Sequence, residues 1–397
     1  MQPIVFVDDA HTFGGAQIAL GWAIRAILHQ CHTQPVVCVC TPATREAVKQ
    51  ITGEDKNLRF IDCPPALPLN IFTFPLRLWV FYKLLKPMAG QGVRSWRFNL
   101  AGIEFCLAPL LILRLFGMHP IAWLHNNETF TFFNTNRSMP IKIVSWARDA
   151  MANRLIFGLY RLIVTTSHAT EIALKTRFHC INPPLTGFLY PTVGLRIGPH
   201  KIEREVTNPA HIDLWMINRM DYKHKNNLAG LEVLKHLHDL GKPACLTVVG
   251  DGPDMAHFRS STQELGLSGF VRFKGWQENP WESVPDNAIV LIPSFFESFC
   301  LVAREAMLYG ARMVLSPLPV FFEWIPSKLI ARDFSAEAFV EEIEEVFSMS
   351  RERVLALYTE ALRKFTEEAF VVKFESFLQA ATAEEHQLPG SARAGRN

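Results

Sequence analysis

Short apolar runs alternate with longer amphipathic stretches along the first half of the chain. The runs are too short for helices and are rich in β-branched and aromatic residues, so they predict buried strands. They lie at residues 4–7, 35–41, 58–62, 120–125 and 161–167. Helical periodicity extends from about Ala16 to His29 and resumes near His168. Strands that alternate with helices predict a doubly wound parallel sheet.

The alternation lapses in the middle of the chain and then restarts. Residues 182–209 are rich in Pro and Gly and have no sustained period, so we predict an interdomain linker with flanking loops there. Further strands are predicted at 212–219, 244–250, 271–275, 288–294 and 312–316, with helical stretches between most of them. Long helical patterns follow at 335–365 and 367–385.

Two alternating segments predict an α/β protein of two Rossmann-like domains that face an interdomain cleft. The chain of 397 residues is too long for one ordinary core and fits two domains. We place the first domain at residues 1–190 and the second at 191–375, and expect 376–397 to hold a helix end and a flexible tail. Ligands bind outside the carboxyl ends of the strands in such sheets.

Composition and charge narrow the class of protein. Hydrophobic residues make up 49% and charged residues 20% of the chain, which is typical of a well-packed folded protein. The net charge of +2 gives no sign of the dense basic surface that nucleic-acid binding needs. The eight cysteines are scattered without metal-ligand spacing, and no signal peptide begins the chain. We therefore expect a cytoplasmic protein with reduced thiols, no metal and no nucleic-acid partner.

Two apolar segments of the first domain leave alternatives open. Residues 70–87 mix aromatic side chains with Lys83 and Lys86, and residues 104–120 are interrupted by Arg114. No run of 18 apolar residues occurs, so no membrane-spanning helix is predicted. Both segments fit helices packed on a sheet. The first also fits a helix that lies at a membrane surface, with its basic groups at the lipid phosphates.

Residues 293–310, PSFFESFCLVAREAMLYG, carry Glu297 and Glu305 in a mostly apolar setting. The segment follows a predicted strand, so Glu297 would lie in a loop and Glu305 on a helix from Leu301 to Tyr309. The amides at the start of that helix would favour an anion. Alone, the pattern also fits a helix-capping Glu297 and an exposed Glu305.

Basic residues and glycines follow the two preceding strands. The segment MINRMDYKHKN leaves a strand and places Arg219, Lys223 and Lys225 in the next loop. A planar arginine fork and a lysine point charge suit a diphosphate, although a solvated basic loop is the alternative. The segment LTVVGDGPD ends another strand with Gly250 and Gly252, which permit a tight turn.

In this order, the motifs resemble those of glycosyltransferase family 4, the retaining nucleotide-sugar transferases of GT-B fold. The resemblance covers essentially the whole chain and is strongest from 215 to 316, where 293–310 matches the family's E-x7-E signature. FGGAQIAL near the N-terminus matches its glycine loop. The resemblance implies a retaining hexosyltransferase that moves a sugar from a nucleoside diphosphate sugar to an acceptor hydroxyl without a cofactor.

The resemblance implies roles for the charged residues. Arg219 and Lys225 would bind the diphosphate and stabilise the leaving group, with Lys223 as the alternative because Lys225 stands one residue later than in many members. Glu297 would contact the donor sugar, and Glu305 the ribose hydroxyls. Glu297 is not expected to be a covalent nucleophile, since the resemblance favours front-face transfer.

Other implied site residues are uncharged. Gly14 and Gly15 would let the backbone approach the phosphates or the acceptor. His125 would lie near the reacting sugar, with a hydrogen-bonded structural histidine as the alternative. Trp276 would lie beside the nucleobase.

The loop before the predicted helix departs from the family pattern. Asn218 replaces the usual glycine before Arg219, and Cys300 stands where glycine is common. The amides of Phe299, Cys300 and Leu301 would read sugar hydroxyls. Cys300 adds volume near the sugar and is expected to restrict which sugar fits. Its thiol is expected to be passive, since no adjacent base activates it.

The first domain is expected to bind a glycan or lipid-linked acceptor for cell-surface polysaccharide or lipopolysaccharide, with peripheral contact of 70–87 on the inner face of the cytoplasmic membrane. A dinucleotide-dependent oxidoreductase is disfavoured because DDAHTFGGA after the first strand lacks G-x-G-x-x-G. A non-catalytic nucleotide-sugar-binding GT-B protein remains the alternative. The sequence leaves open the donor sugar, its base, the linkage and the oligomeric state.

Overall fold

The structure is a computed structural model of the chain, and its contacts divide the chain into two units. Unit 1 comprises residues 1–194 and 366–397, and unit 2 comprises 195–365. The structure describes residues 3–9, 14–65, 74–89, 94–98, 103–117, 120–125, 159–160, 162–177, 185–192 and 211–383.

Seven described strands form the sheet of unit 1, and neighbouring strands run parallel. They are β1 Ile4–Asp8, β2 Val36–Cys40, β3 Leu58–Asp62, β4 Arg94–Phe98, β5 Ile121–Leu124, β6 Leu162–Thr165 and β7 Leu185–Phe188. The strand order is β3-β2-β1-β4-β5-β6-β7. The order reverses between β1 and β4, as in a doubly wound sheet.

Helices cover both faces of this sheet. Those in the first part of unit 1 are α1 Gly15–Gln30, α2 Pro42–Thr52, α3 Phe74–Leu85, α4 Ile103–Leu115 and α5 His168–Arg177. Successive residues of β1 point to opposite faces. Phe6 therefore packs in the core that contains Leu20 of α1, whereas Val5 and Val7 pack in the core that contains Phe81 of α3.

Unit 2 has its own parallel sheet. Its described strands are β8 Ile212–Ile217, β9 Ala244–Val249, β10 Val271–Gly275, β11 Ile289–Ile292 and β12 Arg312–Leu315. Their order is β10-β9-β8-β11-β12, which reverses between β8 and β11. The helices that follow are α6 Tyr222–Lys225, α7 Leu228–Asp239, α8 Met255–Glu264, α9 Leu301–Leu308, α10 Pro319–Phe322, α11 Ala336–Ser348, α12 Arg351–Arg363 and α13 Glu367–Ala383.

Helix α13 belongs to unit 1, which differs from the predicted second domain of 191–375. Phe374 stacks on Phe6 of β1 with ring centroids 6.1 Å apart. Phe370 is 5.6 Å from the ring of Trp123 on β5. The amphipathic pattern predicts that one face of this helix is buried, but the pattern is local and does not tell which unit buries it. Residues 384–397, the predicted flexible tail, lie outside the described residues.

Three further elements differ from the sequence predictions. Strand β7 lies within the predicted linker, where Gly187 lets the ring of Phe377 approach to 2.5 Å from the position of a Cβ. Strand β4 was not predicted, because three of the five residues in its sequence RSWRF are polar. The helix predicted at 335–365 is two helices, since Ser350 caps α12 by accepting a hydrogen bond from the Arg353 amide at 3.3 Å.

Candidate functional site

The loops after β8 and β11 meet at the strand-order reversal of unit 2. The two strands pair directly, so their carboxyl ends lie at one edge of the sheet. The amides of Phe295 and Phe296 donate to the carbonyl of His224 at 2.9 and 3.2 Å. These bonds hold the loop after β11 against α6, which follows β8, and they bring together two of the predicted site residues, Lys225 and Glu297.

Lys225 and Glu297 form an ion pair, with 2.6 Å between Lys225 Nζ and Glu297 Oε1. Ser294 Oγ donates to the same carboxylate oxygen at 2.8 Å. The side chains of Lys225 and Glu297 are 27% and 8% exposed. Burial is the largest influence on the pKa of Lys225 and lowers it, but the charge and hydrogen bond of Glu297, together with Cys300 and Asp221, raise the pKa overall. Lys225 is therefore charged at neutral pH.

Arg219 lies directly after β8 with an exposed side chain. No ion pair joins its guanidinium to another residue of the described ranges. Its backbone is fixed by the fully buried Asn227, whose Nδ2 donates to Asn218 Oδ1 at 2.6 Å and whose Oδ1 accepts from the Asp221 amide at 2.9 Å. Asn218, which replaces the family's usual glycine, thus braces the loop that presents Arg219.

Lys223 is exposed on α6.

Gly250 and Gly252 pack behind this loop. A Cβ at Gly250 would lie 1.9 Å from the carbonyl oxygen of Asn218, and one at Gly252 would lie 2.3 Å from that of Met220. Gly250 also has a φ of 129°, in the region that favours glycine. Only glycines allow the loop that carries Arg219 to pack this closely.

Cys300 precedes α9 in a left-handed conformation, with φ 73° and ψ 84°. This conformation explains why glycine suits the position, since it costs an L-residue about 1–2 kcal/mol. The Cys300 residue is 8% exposed. Burial raises the pKa of its thiol, and the nearby Glu297 carboxylate raises it further. The thiol is therefore protonated at neutral pH, in keeping with the expected passive role.

Replacing Cys300 by glycine is expected to stabilise the protein by up to about 1 kcal/mol, because relief of the backbone strain exceeds the extra chain entropy. Thermal unfolding measures this change. Cys300→Ser is the matched control, since it keeps the strained backbone and nearly the same volume. Equal stability of the two variants would contradict the backbone explanation.

Turnover of a nucleotide-sugar panel by both variants tests whether the side chain restricts the sugar.

Phe299 and Leu301 flank this residue. The Phe299 ring is buried and stacks on Trp324, with centroids 5.2 Å apart. The side chain is therefore core, and only the backbone of Phe299 is left for a ligand. Leu301 is half-buried at the first position of α9.

Glu305 is partly buried on α9, so the alternative that it is an exposed helix residue is wrong. Its Oε2 accepts a hydrogen bond from the indole Nε1 of Trp281 at 2.9 Å. Burial raises the pKa of Glu305, while the Trp281 hydrogen bond and the charge of Arg304 oppose the rise. Trp281 itself was missed by the sequence analysis. It lies in a 3-10 turn, Pro280–Ser283, and no local pattern links it to Glu305.

Trp276 lies apart from these contacts, just after the edge strand β10. Its side chain is 72% exposed. The preceding Gly275 has a φ of 67°, and its carbonyl accepts from the Gly250 amide at 2.8 Å. The loop of Trp276 is thereby tied to the glycine turn, and the ring projects into solvent.

Two predicted site positions belong to unit 1. The Gly14 amide donates to Gln17 Oε1 at 3.0 Å at the start of α1. Gln17 Nε2 and Thr44 Oγ1 both donate to Asp8 Oδ2, at 3.2 and 3.0 Å. The buried Asp8 therefore fixes the first turns of α1 and α2. Gly15 begins α1, and residues 10–13 of the glycine loop lie outside the described residues.

His125 follows β5 in unit 1. Its ring meets the ring of Trp123 edge-on, with centroids 4.5 Å apart. Burial lowers the pKa of His125 to about 3. The imidazole is therefore neutral at physiological pH, so any role of His125 uses hydrogen bonding rather than positive charge.

Among the described residues, no three His, Cys, Asp or Glu side chains are grouped so that they could hold a metal ion.

Comparison with known proteins gives a partial sequence match and a nearly complete structural one. Residues 201–367 match the family model described as glycosyl transferases group 1. HepE from Anabaena, in complex with UDP and glucose, aligns with a TM-score of 0.69 over 96% of this chain and 100% of that one, at 13% identity. The fold is GT-B.

Other GT-B structures align similarly. The apo form of the lipopolysaccharide outer core galactosyltransferase WaaB has a TM-score of 0.63 and 16% identity, and covers 96% of this chain and 99% of that one. TarM from S. aureus, in a complex that contains UDP, has a TM-score of 0.70 and 9% identity, and covers 95% and 99%. At these identities the likeness shows the GT-B fold alone, which confirms the predicted two Rossmann-like domains.

Curated relatives match a short segment of this GT-B chain. The lipopolysaccharide 1,6-galactosyltransferase of Salmonella typhimurium is 35% identical over 75 residues, which are 18% of this chain and 21% of that protein. The enzyme of the same name from Escherichia coli is 33% identical over 69 residues, 16% and 19% of the two chains. The match spans about a fifth of the length of these relatives.

Proposed function

We propose that this protein is a retaining glycosyltransferase of family 4 that transfers a sugar from a nucleoside diphosphate sugar to an acceptor hydroxyl. The observation that carries the proposal is the Lys225–Glu297 ion pair, which lies with Arg219 in the loops at the strand-order reversal of unit 2. The group 1 match over 201–367 supports it, because that range includes these residues. The galactosyltransferase relatives favour a role in lipopolysaccharide or other cell-surface polysaccharide synthesis.

The charges suit a departing diphosphate. Arg219 and Lys225 would bind its oxygens, and the amides at the start of α9 would add partial positive charge. The bond from the anomeric carbon to the diphosphate oxygen breaks, and negative charge develops on that oxygen. Preorganised cations lower the energy of this transition state. Lys223, exposed on α6, is the alternative lysine for this role.

The carboxylates would position the nucleotide sugar. Lys225 and Ser294 both donate to Glu297 Oε1, and Oε2 would accept from sugar hydroxyls. The acceptor oxygen would bond to the anomeric carbon on the face that the diphosphate leaves, and its proton would pass to the departing phosphate oxygen. The configuration is then retained without a covalent enzyme intermediate.

The remaining roles are proposed from the family resemblance. The amides of Phe299, Cys300 and Leu301 would read sugar hydroxyls. Trp276 would lie beside the base.

In unit 1, Gly14 and Gly15 would admit a phosphate or the acceptor to the backbone. His125 would donate or accept a hydrogen bond near the sugar as a neutral imidazole, given its lowered pKa.

Turnover and binding measured together test the proposal. The wild type is expected to transfer sugar from one member of a panel of UDP-, GDP- and ADP-sugars, and to unfold at a higher temperature with that sugar. Arg219→Ala and Glu297→Ala are each expected to lower turnover by about 10- to 100-fold. Unchanged turnover in both variants would refute the site. Binding without turnover on any acceptor would favour a non-catalytic nucleotide-sugar-binding protein.

We also propose that α3 contacts the cytoplasmic face of an anionic membrane, where a lipid-linked acceptor would lie. Leu76 and Trp79 share one face of α3 and are 61% and 53% exposed. Lys83 Nζ lies 3.7 Å from the centroid of the Trp79 ring. On the opposite face, the buried Arg77 pairs with Asp9 at 2.9 Å, which anchors α3 to the end of β1.

No described helix is long and apolar enough to cross a membrane.

The net charge of the sequence that contains α3 favours anionic lipid. Between Asp62 and Glu128 the chain has one acidic residue, Glu104. Besides Arg77, which is buried and paired with Asp9, the basic residues of that interval are Lys83, Lys86, Arg94, Arg97 and Arg114. Each basic group near an anionic surface contributes about 1 kcal/mol to binding.

Co-sedimentation with vesicles tests this contact. We expect binding to phosphatidylglycerol vesicles, weak binding to phosphatidylcholine vesicles, and at least about a tenfold loss for the double variant Leu76→Ser, Trp79→Ser. Trp276→Ser is the matched control, because it removes an exposed tryptophan of unit 2. Equal binding by all three proteins would contradict a role for α3.

A further inference from the structure

Trp281 donates a hydrogen bond to Glu305, and the proposed function gives this contact no role. The residue is 3% exposed, and its Nε1 donates to Glu305 Oε2 at 2.9 Å. Its ring stacks on Tyr309, with centroids 5.3 Å apart and an interplanar angle of 15°. Tyr309 follows Glu305 by one helical turn, so the indole is held against the same side of α9 as the carboxylate.

This contact engages one of the two carboxylate oxygens of Glu305. The indole N–H engages Oε2 and restricts the rotation of the carboxylate, which leaves Oε1 for a further hydrogen-bond donor. Arg304 lies beside Glu305 in sequence but is itself buried, with Nη2 donating to the Phe365 carbonyl at 3.1 Å. Trp281 therefore supplies the direct hydrogen bond that orients this carboxylate.

We propose that Trp281 is a positioning residue that presents Glu305 to the ribose diol of the nucleotide, and so gives the site its preference for ribose over 2′-deoxyribose. The inference rests on the proposed function, in which Glu305 binds the ribose. A hydrogen bond to a charged acceptor is strong only when the acceptor is held in line with the hydroxyl. A carboxylate that rotates freely would lose that alignment for both forms of the sugar.

The test compares Trp281→Phe with the wild type, using UDP, GDP, ADP and their 2′-deoxy counterparts as calorimetric probes. For the nucleotide that the wild type binds best, we expect the ribose form to bind about 10- to 100-fold more tightly than the deoxy form. In Trp281→Phe this ratio is expected to fall to about threefold or less, mainly through weaker binding of the ribose form. Trp22→Phe, which removes a buried indole from α1 of unit 1, is the matched control and should keep the wild-type ratio.

Two further variants guard against a folding defect. Tyr309→Leu removes the stacked ring but keeps the indole N–H, and should lower the ratio partway. In the Glu305→Gln background, Trp281→Phe should have no further effect on the ratio.

A wild-type ratio in both Trp281→Phe and Tyr309→Leu overturns the inference, as does a wild type that binds a nucleoside diphosphate without ribose preference. If the wild type binds no nucleoside diphosphate at all, the proposed function fails instead.

Discussion

Replacing Lys225 by methionine is expected to lower kcat about 100- to 1000-fold, because the transition state loses a preorganised cation at the departing diphosphate. The same change leaves Glu297, 8% exposed, without its ion-pair partner. Removing one partner of a fully buried pair costs about 3–5 kcal/mol, and the 27% exposure of Lys225 places the expected loss nearer to about 2 kcal/mol. Steady-state kinetics and urea unfolding measure the two effects separately.

Two controls separate catalysis from stability in this prediction. Lys223→Met removes a lysine that is exposed on the same short helix, so we expect nearly wild-type stability and activity. The double variant Lys225→Met, Glu297→Gln removes both charges and should recover stability without recovering activity. A large loss of kcat in Lys223→Met, with little loss in Lys225→Met, would transfer the phosphate-binding role to Lys223.

Replacing Gly250 by alanine is expected to abolish nucleotide binding and to destabilise the protein by about 3 kcal/mol or more. The new Cβ would lie 1.9 Å from the Asn218 carbonyl oxygen, so the loop that carries Arg219 must move. The φ of 129° adds backbone strain that alanine cannot relieve. Thermal unfolding and calorimetric titration with a nucleoside diphosphate measure the two losses.

Gly269→Ala is the matched control for this substitution. A Cβ at Gly269 would meet no heavy atom within 4 Å, and the residue has no left-handed conformation. We therefore expect wild-type binding and a change in stability of less than about 0.5 kcal/mol. If Gly250→Ala behaved in the same way, close packing against Asn218 would not be what requires glycine there.

The backbone around the candidate site could be predicted because its signals are local. The apolar runs of β8 and β11 end at Ile217 and Ile292, so the loops that follow them had to lie at one edge of a parallel sheet. Their positions after these strands placed Lys225 and Glu297 in those loops, and the family resemblance then implied their roles. The ion pair between them follows from the direct pairing of the two strands.

Contacts between distant segments could not be predicted in this way. Trp281 precedes Glu305 by 24 residues and reaches it from a separate turn, a contact that no local period reveals. Cys300 was noticed because glycine is common at its position. The physical reason, a φ of 73°, became visible only in the backbone.

The return of α13 to unit 1 bears on how the protein is made. Unit 2 is continuous in sequence, whereas the core of unit 1 is completed by Phe370, Phe374 and Leu378, which are synthesised after unit 2. At the usual rate of translation, the 171 residues of unit 2 separate the two parts of unit 1 by roughly 10 to 30 seconds. During that interval the nascent first domain presents an uncovered apolar face to the cell. Unit 2 can therefore complete its fold on the ribosome before unit 1 does.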